Sequence, residues 1–310
     1  MNILIVRTDK LGDFITTLPA ISVLKKHNPQ NKIIVCIAPI NKPLAQACDF
    51  IDDIIIDYNQ SVLELSSNFK KAKIDASITM FSNTRVAFAQ FLAKIPTTIA
   101  PATKIAQIFY TKRVKQRRSE VKMAEFEYNL QLTKELFNDI DLSYKQPLLK
   151  FKNVDYSYKD YVCFHVGFGG SSDANWSLDE YEILIHEVLK NTQHKVILTF
   201  GPDEEHLLKD MKNRFKNDKV VLYLSTDGLV EFAKLISTFK VFISTSTGTY
   251  HLASLVGTPT ITFFADTLFA SAKRWKSIGD EKLQKHFMIP SDTLKRKQLF
   301  EDVKKELQNL

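Results

Sequence analysis

Cysteine is scarce: the 310 residues hold three, Cys36, Cys48 and Cys163. They are unclustered and mostly set among apolar neighbours, which excludes a disulfide scaffold and a thiolate metal site. Free buried thiols in a reducing compartment fit this usage. Long hydrophobic runs are missing too, and none approaches the roughly 20 apolar residues needed to cross a bilayer. The first ten residues have their short apolar stretch broken by Arg7 and Asp9, with no n-region or cleavage site. They read as a first strand rather than a secretory signal, so a cytoplasmic protein is expected. Neither a G-x-G-x-x-G fingerprint nor a Walker lysine follows that strand, which excludes the two commonest nucleotide loops. No internal repeat or low-complexity segment appears.

What is present describes an ordinary globular protein long enough for two domains: 45% hydrophobic and 25% charged residues. The net charge of +7, from 42 basic and 35 acidic side chains, permits a nucleic acid, a membrane surface or a phosphorylated substrate as partner. Its distribution says more. Between Ala102 and Lys122 lie Lys104, Lys112, Arg113, Lys115, Arg117, Arg118 and Lys122, opposed only by Glu120.

Short β-branched runs alternate with amphipathic stretches along the chain. Strands are expected over 3–6, 33–37, 54–56, 76–81 and 97–100, with helices between them. Pro19 predicts that the first helix kinks or starts late. Residues 103–137 read as helix interrupted by the basic stretch, and 138–160, polar and rich in tyrosine and lysine, as a linker. The alternation restarts with strands over 161–166, 196–200, 220–224, 241–244 and 260–264, and ends in an amphipathic helix over 293–310. Near-continuous apolar strands separated by helices predict parallel sheets covered on both faces. The expected architecture is α/β: two doubly wound domains, 1–150 and 151–292, facing a central cleft. Ligands in such sheets sit at the carboxyl ends of the strands.

Three loops lie at such ends. The first, Arg7-Thr8-Asp9-Lys10-Leu11-Gly12-Asp13, places Asp13 at the entrance of a helix. Asp13 reads as a helix cap or as a general base, and the roles conflict, because cap hydrogen bonds weaken a carboxylate as a base. The second runs from His165 and Gly167 through Gly169-Gly170-Ser171-Ser172, where glycine amides and hydroxyls suit a diphosphate; a plain surface loop is the alternative. His165, inside an apolar strand, reads as a hydrogen-bonded core histidine. The third, Ser244-Thr245-Ser246-Thr247-Gly248-Thr249-Tyr250-His251, runs from a strand into a helix. Hydroxyls and amides of Ser246, Thr247, Gly248 and Thr249 converge at a positive helix end, and His251 in the first turn can turn toward a bound anion.

Together these segments resemble glycosyltransferase family nine, the ADP-heptose:lipopolysaccharide heptosyltransferases. The opening strand with Gly12-Asp13 and Thr17-Leu18-Pro19-Ala20, the Glu127-Tyr128-Asn129-Leu130 segment, and Phe164–Gly167 with Trp176 carry the likeness. So do Thr247-Gly248, His251-Leu252-Ala253 and Gly257-Thr258-Pro259, against the family's D-T-G-x-x-H-L-A-x-x-x-G-T-P. The resemblance implies a GT-B fold and an inverting, metal-independent transfer from a nucleotide-activated sugar, ADP-heptose first, with no separate cofactor. It implies Asp13 as catalytic base, with Gly167, Ser171, Ser172, Ser246, Thr247, Gly248, Thr249 and His251 on the donor, and a final helix packing back on the first domain. Three departures stand out: Ser246 replaces an aspartate, Ala174 a phosphate-binding lysine, and Ala265 a glycine.

The acceptor implied is an anionic glycolipid of the lipopolysaccharide-core type, with Lys10, Arg113, Arg117 and Arg118 as its candidate contacts. The basic stretch also suits an anionic membrane surface, and a solvated helix face is its plain alternative. Competing functions are a UDP-sugar transferase or epimerase, a non-catalytic nucleotide-binding homologue, and a nucleic-acid binder. The last is disfavoured, because only the basic stretch supports it.

Overall fold

A computed structural model describes residues 1–103, 105–167, 174–216 and 219–310, which form two compact units, Met1–Leu148 and Leu149–Leu310. The first is built on six strands: β1 (Asn2–Arg7), β2 (Lys32–Ile37), β3 (Asp53–Ile56), β4 (Ala76–Thr79), β5 (Thr97–Pro101) and β6 (Lys112–Val114). All neighbours pair in parallel, in the order β3-β2-β1-β4-β5-β6. Ile3, Leu4, Ile5 and Val6 are buried on both faces of the sheet, which is why β1 reads as a continuous apolar run. Each such side chain contributes about 1.5–3 kcal/mol by leaving water.

The second unit repeats the plan with β7 (Tyr161–His165), β8 (Lys195–Phe200), β9 (Val220–Leu224), β10 (Val241–Thr245), β11 (Thr260–Ala265) and β12 (Gln284–Ile289). Its order, β12-β11-β10-β7-β8-β9, has the same winding as the first. The winding direction therefore reverses between β1 and β4 in one sheet and between β7 and β10 in the other. At such switch points diverging loops leave a crevice at the strands' carboxyl ends.

Pro19 does delay a helix. Leu11–Ile15 forms one short helix and Leu18–His27 another, with Pro19 in the first turn of the second, where a missing N–H costs nothing.

Two expectations are corrected. The described residues of 103–137 are not an interrupted helix: Ile105–Phe109 and Arg118–Glu120 are short 3-10 helices, and the α-helix among these residues is Glu125–Thr133. Lys112–Val114 instead adds the outer strand β6, an edge position where solvated charges are tolerated. Arg117 and Val121, at φ of 47° and 46°, could not continue a right-handed helix. Second, β12 escapes the sequence pattern because this half-buried edge strand, Gln284-Lys285-His286-Phe287-Met288-Ile289, is polar at its start.

In the C-terminal helix Thr293–Leu307, Val303 and Leu307 are fully buried in the second unit's core with Phe263 and Trp176. Arg296 lies 4.5 Å over the Trp176 ring and donates to Glu180 Oε2 at 2.8 Å. Val303 and Leu307 of this helix thus belong to the core of the second unit.

Candidate functional site

The β1/β4 switch point of the first unit holds a buried charge cluster. Arg7, the last residue of β1, is only 3% exposed. Its guanidinium meets three carboxylates: Asp9 (Nε to Oδ2, 2.9 Å), Asp13 (Nη2 to Oδ1) and Glu125 (Nη1 to Oε1, 3.4 Å). The Asp9 approach is an ion pair without hydrogen-bond alignment, whereas Asp13 accepts a hydrogen bond. Arg118 donates to the same Glu125 oxygen. Phe81, just past β4, lies under the Arg7 guanidinium at 5.4 Å.

Two guanidiniums among three carboxylates leave the cluster one negative charge in excess. Burial works against the Arg7 cation, but its three carboxylates outweigh that and hold its pKa above the ordinary value. Burial raises the Asp9 pKa, with Asp13 and Glu125 adding to it and Arg7 opposing. The Arg118 pKa is lowered by burial, against the attraction of Glu125.

Asp13 is not a helix cap. Lys10 holds that position, and Asp13 sits in the first turn of Leu11–Ile15, about a fifth exposed (21%). Among the described residues its carboxylate is hydrogen-bonded through Oδ1 alone, and by a group that orients it. Its backbone is pinned from elsewhere. Thr16 Oγ1 donates to Asp13 O at 2.7 Å, and Asn129 Nδ2 donates to Thr16 O and Oγ1, both at 3.1 Å. Asn41 Nδ2 holds Asp9 O at 3.1 Å.

Of the candidate acceptor contacts, Lys10 and Arg113 are exposed, and Arg117 is exposed and paired with Glu120 at 3.2 Å. Arg118 is turned inward, 12% exposed, so it fixes Glu125 rather than offering its charge outward.

In the second unit, β10 leads through Ser246 and Thr247 into the helix Gly248–Leu255. Ser246 N continues the ladder to Phe263 O at 2.9 Å. Thr247 stands at the N-cap but makes no side-chain cap; its hydroxyl is 2.8 Å from that of Thr249. The first-turn amides thus end without a capping side chain, as an anion-binding helix start requires. Gly257, at φ of 82°, closes the helix in a conformation that glycine alone adopts freely.

His251 is buried and its pKa is pushed down by burial to about 4, so the ring is neutral. Its Nδ1 lies 3.0 Å from Ser277 Oγ. Tyr250 OH accepts from Ser277 N at 2.8 Å, donates to Gln284 Oε1 at 2.8 Å and lies 3.0 Å from His286 Nε2. A neutral imidazole fixed this way can offer an anion a hydrogen bond but no charge.

Gly167 follows β7 and is crowded: a Cβ there would sit 1.9 Å from Glu204 Oε1. Its missing side chain makes room for Glu204, which also accepts from Gly201 N at 2.7 Å. Ser171 and Ser172 lie outside the described residues. His165 is the core histidine expected, 3.1 Å from Thr199 Oγ1 and with its pKa lowered by burial. Ala174 packs its methyl against the second unit's core, so this position supplies no cation. No group of three or more His, Cys, Asp or Glu among the described residues could hold a metal ion.

Sequence reasoning missed Glu125, Asp9 and Ser277. Glu125 sits two residues from the Glu127-Tyr128-Asn129-Leu130 segment, which was the available signal; nothing local marks Ser277.

Two doubly wound domains in one chain, each with polar groups at its switch point, define the GT-B fold. The same fold is seen in Escherichia coli ADP-heptose lipopolysaccharide heptosyltransferase II, with a TM-score of 0.78, 14% identity and 99% of each chain covered. It is seen again in Escherichia coli heptosyltransferase WaaC with ADP, with a TM-score of 0.77, 19% identity and 98% of this chain and 100% of that one covered. The model of glycosyltransferase family 9 (heptosyltransferase) matches residues 62–302, and the chain belongs to that family. A provisionally assigned glycosyltransferase of Haemophilus influenzae is 34% identical over 300 residues, covering 90% of this chain and 86% of that protein.

Proposed function

We propose that this glycosyltransferase moves a sugar from a nucleoside diphosphate donor to a hydroxyl of an anionic glycan in one inverting displacement, with Asp13 as general base. The observation that supports this most is Asp13 itself, oriented through one oxygen by a buried arginine and partly open to solvent. The acceptor O–H gives its proton to Asp13 as its oxygen attacks the anomeric carbon. The bond from that carbon to the β-phosphate oxygen breaks, and the electron pair leaves with the diphosphate.

Charge on the departing diphosphate is met by the amides of Gly248 and Thr249, the hydroxyls of Ser246 and Thr247 and the imidazole of His251. Ser171, Ser172 and the backbone at Gly167 join them by sequence position. Stabilising that charge is the main electrostatic demand of the step, and these groups meet it without a metal. Lys10, Arg113 and Arg117 are the outward cations for an anionic acceptor. The likeness to Escherichia coli ADP-heptose lipopolysaccharide heptosyltransferase II and to heptosyltransferase WaaC with ADP supports heptose on ADP as donor and a lipopolysaccharide core as acceptor.

A second reading rests on Ala174 and Ser246. With a methyl packed into the core where the family carries a lysine, and a hydroxyl where it carries a carboxylate, the donor grip differs from the family's, and a UDP-sugar is the competing donor.

Asp13→Asn should lower kcat about 10²–10⁴-fold while leaving donor affinity unchanged. Near-wild-type turnover would remove Asp13 from the reaction. A thermal-shift screen of ADP-, UDP-, GDP- and CMP-sugars decides between the donors, because the true one raises the melting temperature by mass action.

A further inference from the structure

From Ala76 to Ser119 the chain has no acidic residue and eight basic ones: Arg85, Lys94, Lys104, Lys112, Arg113, Lys115, Arg117 and Arg118. That excess exceeds the whole chain's net charge of +7, so the remaining residues are close to neutral. The same segment carries the most concentrated exposed apolar surface of the first unit. The helix Thr84–Leu92 turns Val86, Ala87 and Ala89 inward and leaves Phe88 and Phe91 37% and 56% exposed. The 3-10 turn Ile105–Phe109 anchors itself through Ala106, leaving Ile105 and Ile108 71% and 60% exposed. Phe109 joins the two, its ring centroid 5.1 Å from that of Phe88 and 5.8 Å from that of Phe91.

Cations border this surface. Lys94 is exposed at the end of the helix, its N–H bonded to Phe91 O, and Arg113 folds its Nε back to Tyr110 O at 3.4 Å, next to Phe109. Lys112 and Lys115 are exposed on and beside β6. Among the described residues no helix is long and apolar enough to cross a membrane. Arg85, Arg117 and Arg118 are paired with Asp57, Glu120 and Glu125 from outside the segment. Lys94, Lys112, Arg113 and Lys115, beside the exposed apolar side chains, have no ion-pair partner among the described residues. These cations and apolar side chains together complement a bilayer whose surface is negative and whose interior is apolar.

We propose that this face docks the first unit on anionic lipid, with Phe88, Phe91, Ile105, Ile108 and Phe109 entering the headgroup region and the cations pairing with lipid phosphates. The proposal is independent of the transfer chemistry, since Asp13 has no part in it.

Co-sedimentation with lipid vesicles tests it. Wild-type protein should bind vesicles with 30 mol% phosphatidylglycerol at least about tenfold more tightly than phosphatidylcholine vesicles, and lose most of that advantage in high salt. The Phe91→Ser/Ile105→Ser/Ile108→Ser variant should lose about tenfold on the anionic vesicles. Lys94→Glu/Lys115→Glu should lose the preference for them, and Asp13→Asn should bind as wild type whether or not it turns over. The substituted phenylalanine, isoleucines and lysines are solvent-facing, and an unchanged melting temperature verifies the fold. Equal binding to both vesicle types, or wild-type binding by the triple serine variant, overturns the proposal. So does a lipid-free dimer in sedimentation velocity that the serine substitutions dissolve, which would make the face a contact between copies of the chain.

Discussion

Arg7 shows how much one residue can organise. It terminates an apolar strand, is almost wholly buried, and is stable there only because Asp9, Asp13 and Glu125 surround it. An isolated charge in that position would be prohibitively costly. Arg7→Met should therefore cost about 3–5 kcal/mol in urea unfolding, because three carboxylates would lose their shared cation. It should also reduce turnover, by releasing Asp13 from its orientation. An Arg7→Met protein as stable as wild type would mean that the carboxylates are satisfied without it. The sequence singles out Asp13 as a candidate but not the groups around it, since Glu125 lies 118 positions from Arg7 and only the fold brings them together.

The final helix shows what helical spacing leaves open. Its apolar residues were legible at helical spacing, but spacing cannot say which surface receives them. The structure distinguishes its residues sharply: Leu307 is fully buried in the second unit's core, while Leu294 is 78% exposed. Leu307→Ala should cost about 2–4 kcal/mol by opening a cavity, and Leu294→Ala less than about 0.5 kcal/mol. Chemical denaturation of the two variants checks this, and equal costs would contradict the packing. β6 and β12 escaped notice for the opposite reason. Both are edge strands that carry charged or polar residues, Lys112-Arg113 and Gln284-Lys285-His286, where a solvated edge tolerates them and an apolar run would have marked a strand.

Across the molecule, three histidines of the second unit, His165, His251 and His286, are held below their ordinary pKa chiefly by burial. For His251 the unfolded chain binds a proton near 6.5, whereas the native protein resists until about 4. A depressed native pKa gives stability that is complete above 6.5 and is lost as pH falls through this window. His251 alone should account for about 2 kcal/mol of destabilisation between pH 7 and pH 5. Urea unfolding at the two pH values should show that loss, and His251→Asn should reduce it by this amount. A difference unaffected by the substitution would show that His251 is protonated freely in the native state.

The amino-acid sequence determined the doubly wound plan of the two sheets and the strand-end loops that carry the candidate site residues. Strand and helix periods, turn glycines and the order of motifs are local or ordered along the chain, so they survive in one dimension. Tertiary structure decided everything that depends on distant residues meeting. It joined Arg7 to Glu125, turned Arg118 inward, set Ser277 against His251 and assigned the last helix to the second unit. A buried charge or an apolar stripe states only that it needs a partner; the partner's identity exists once the chain has folded.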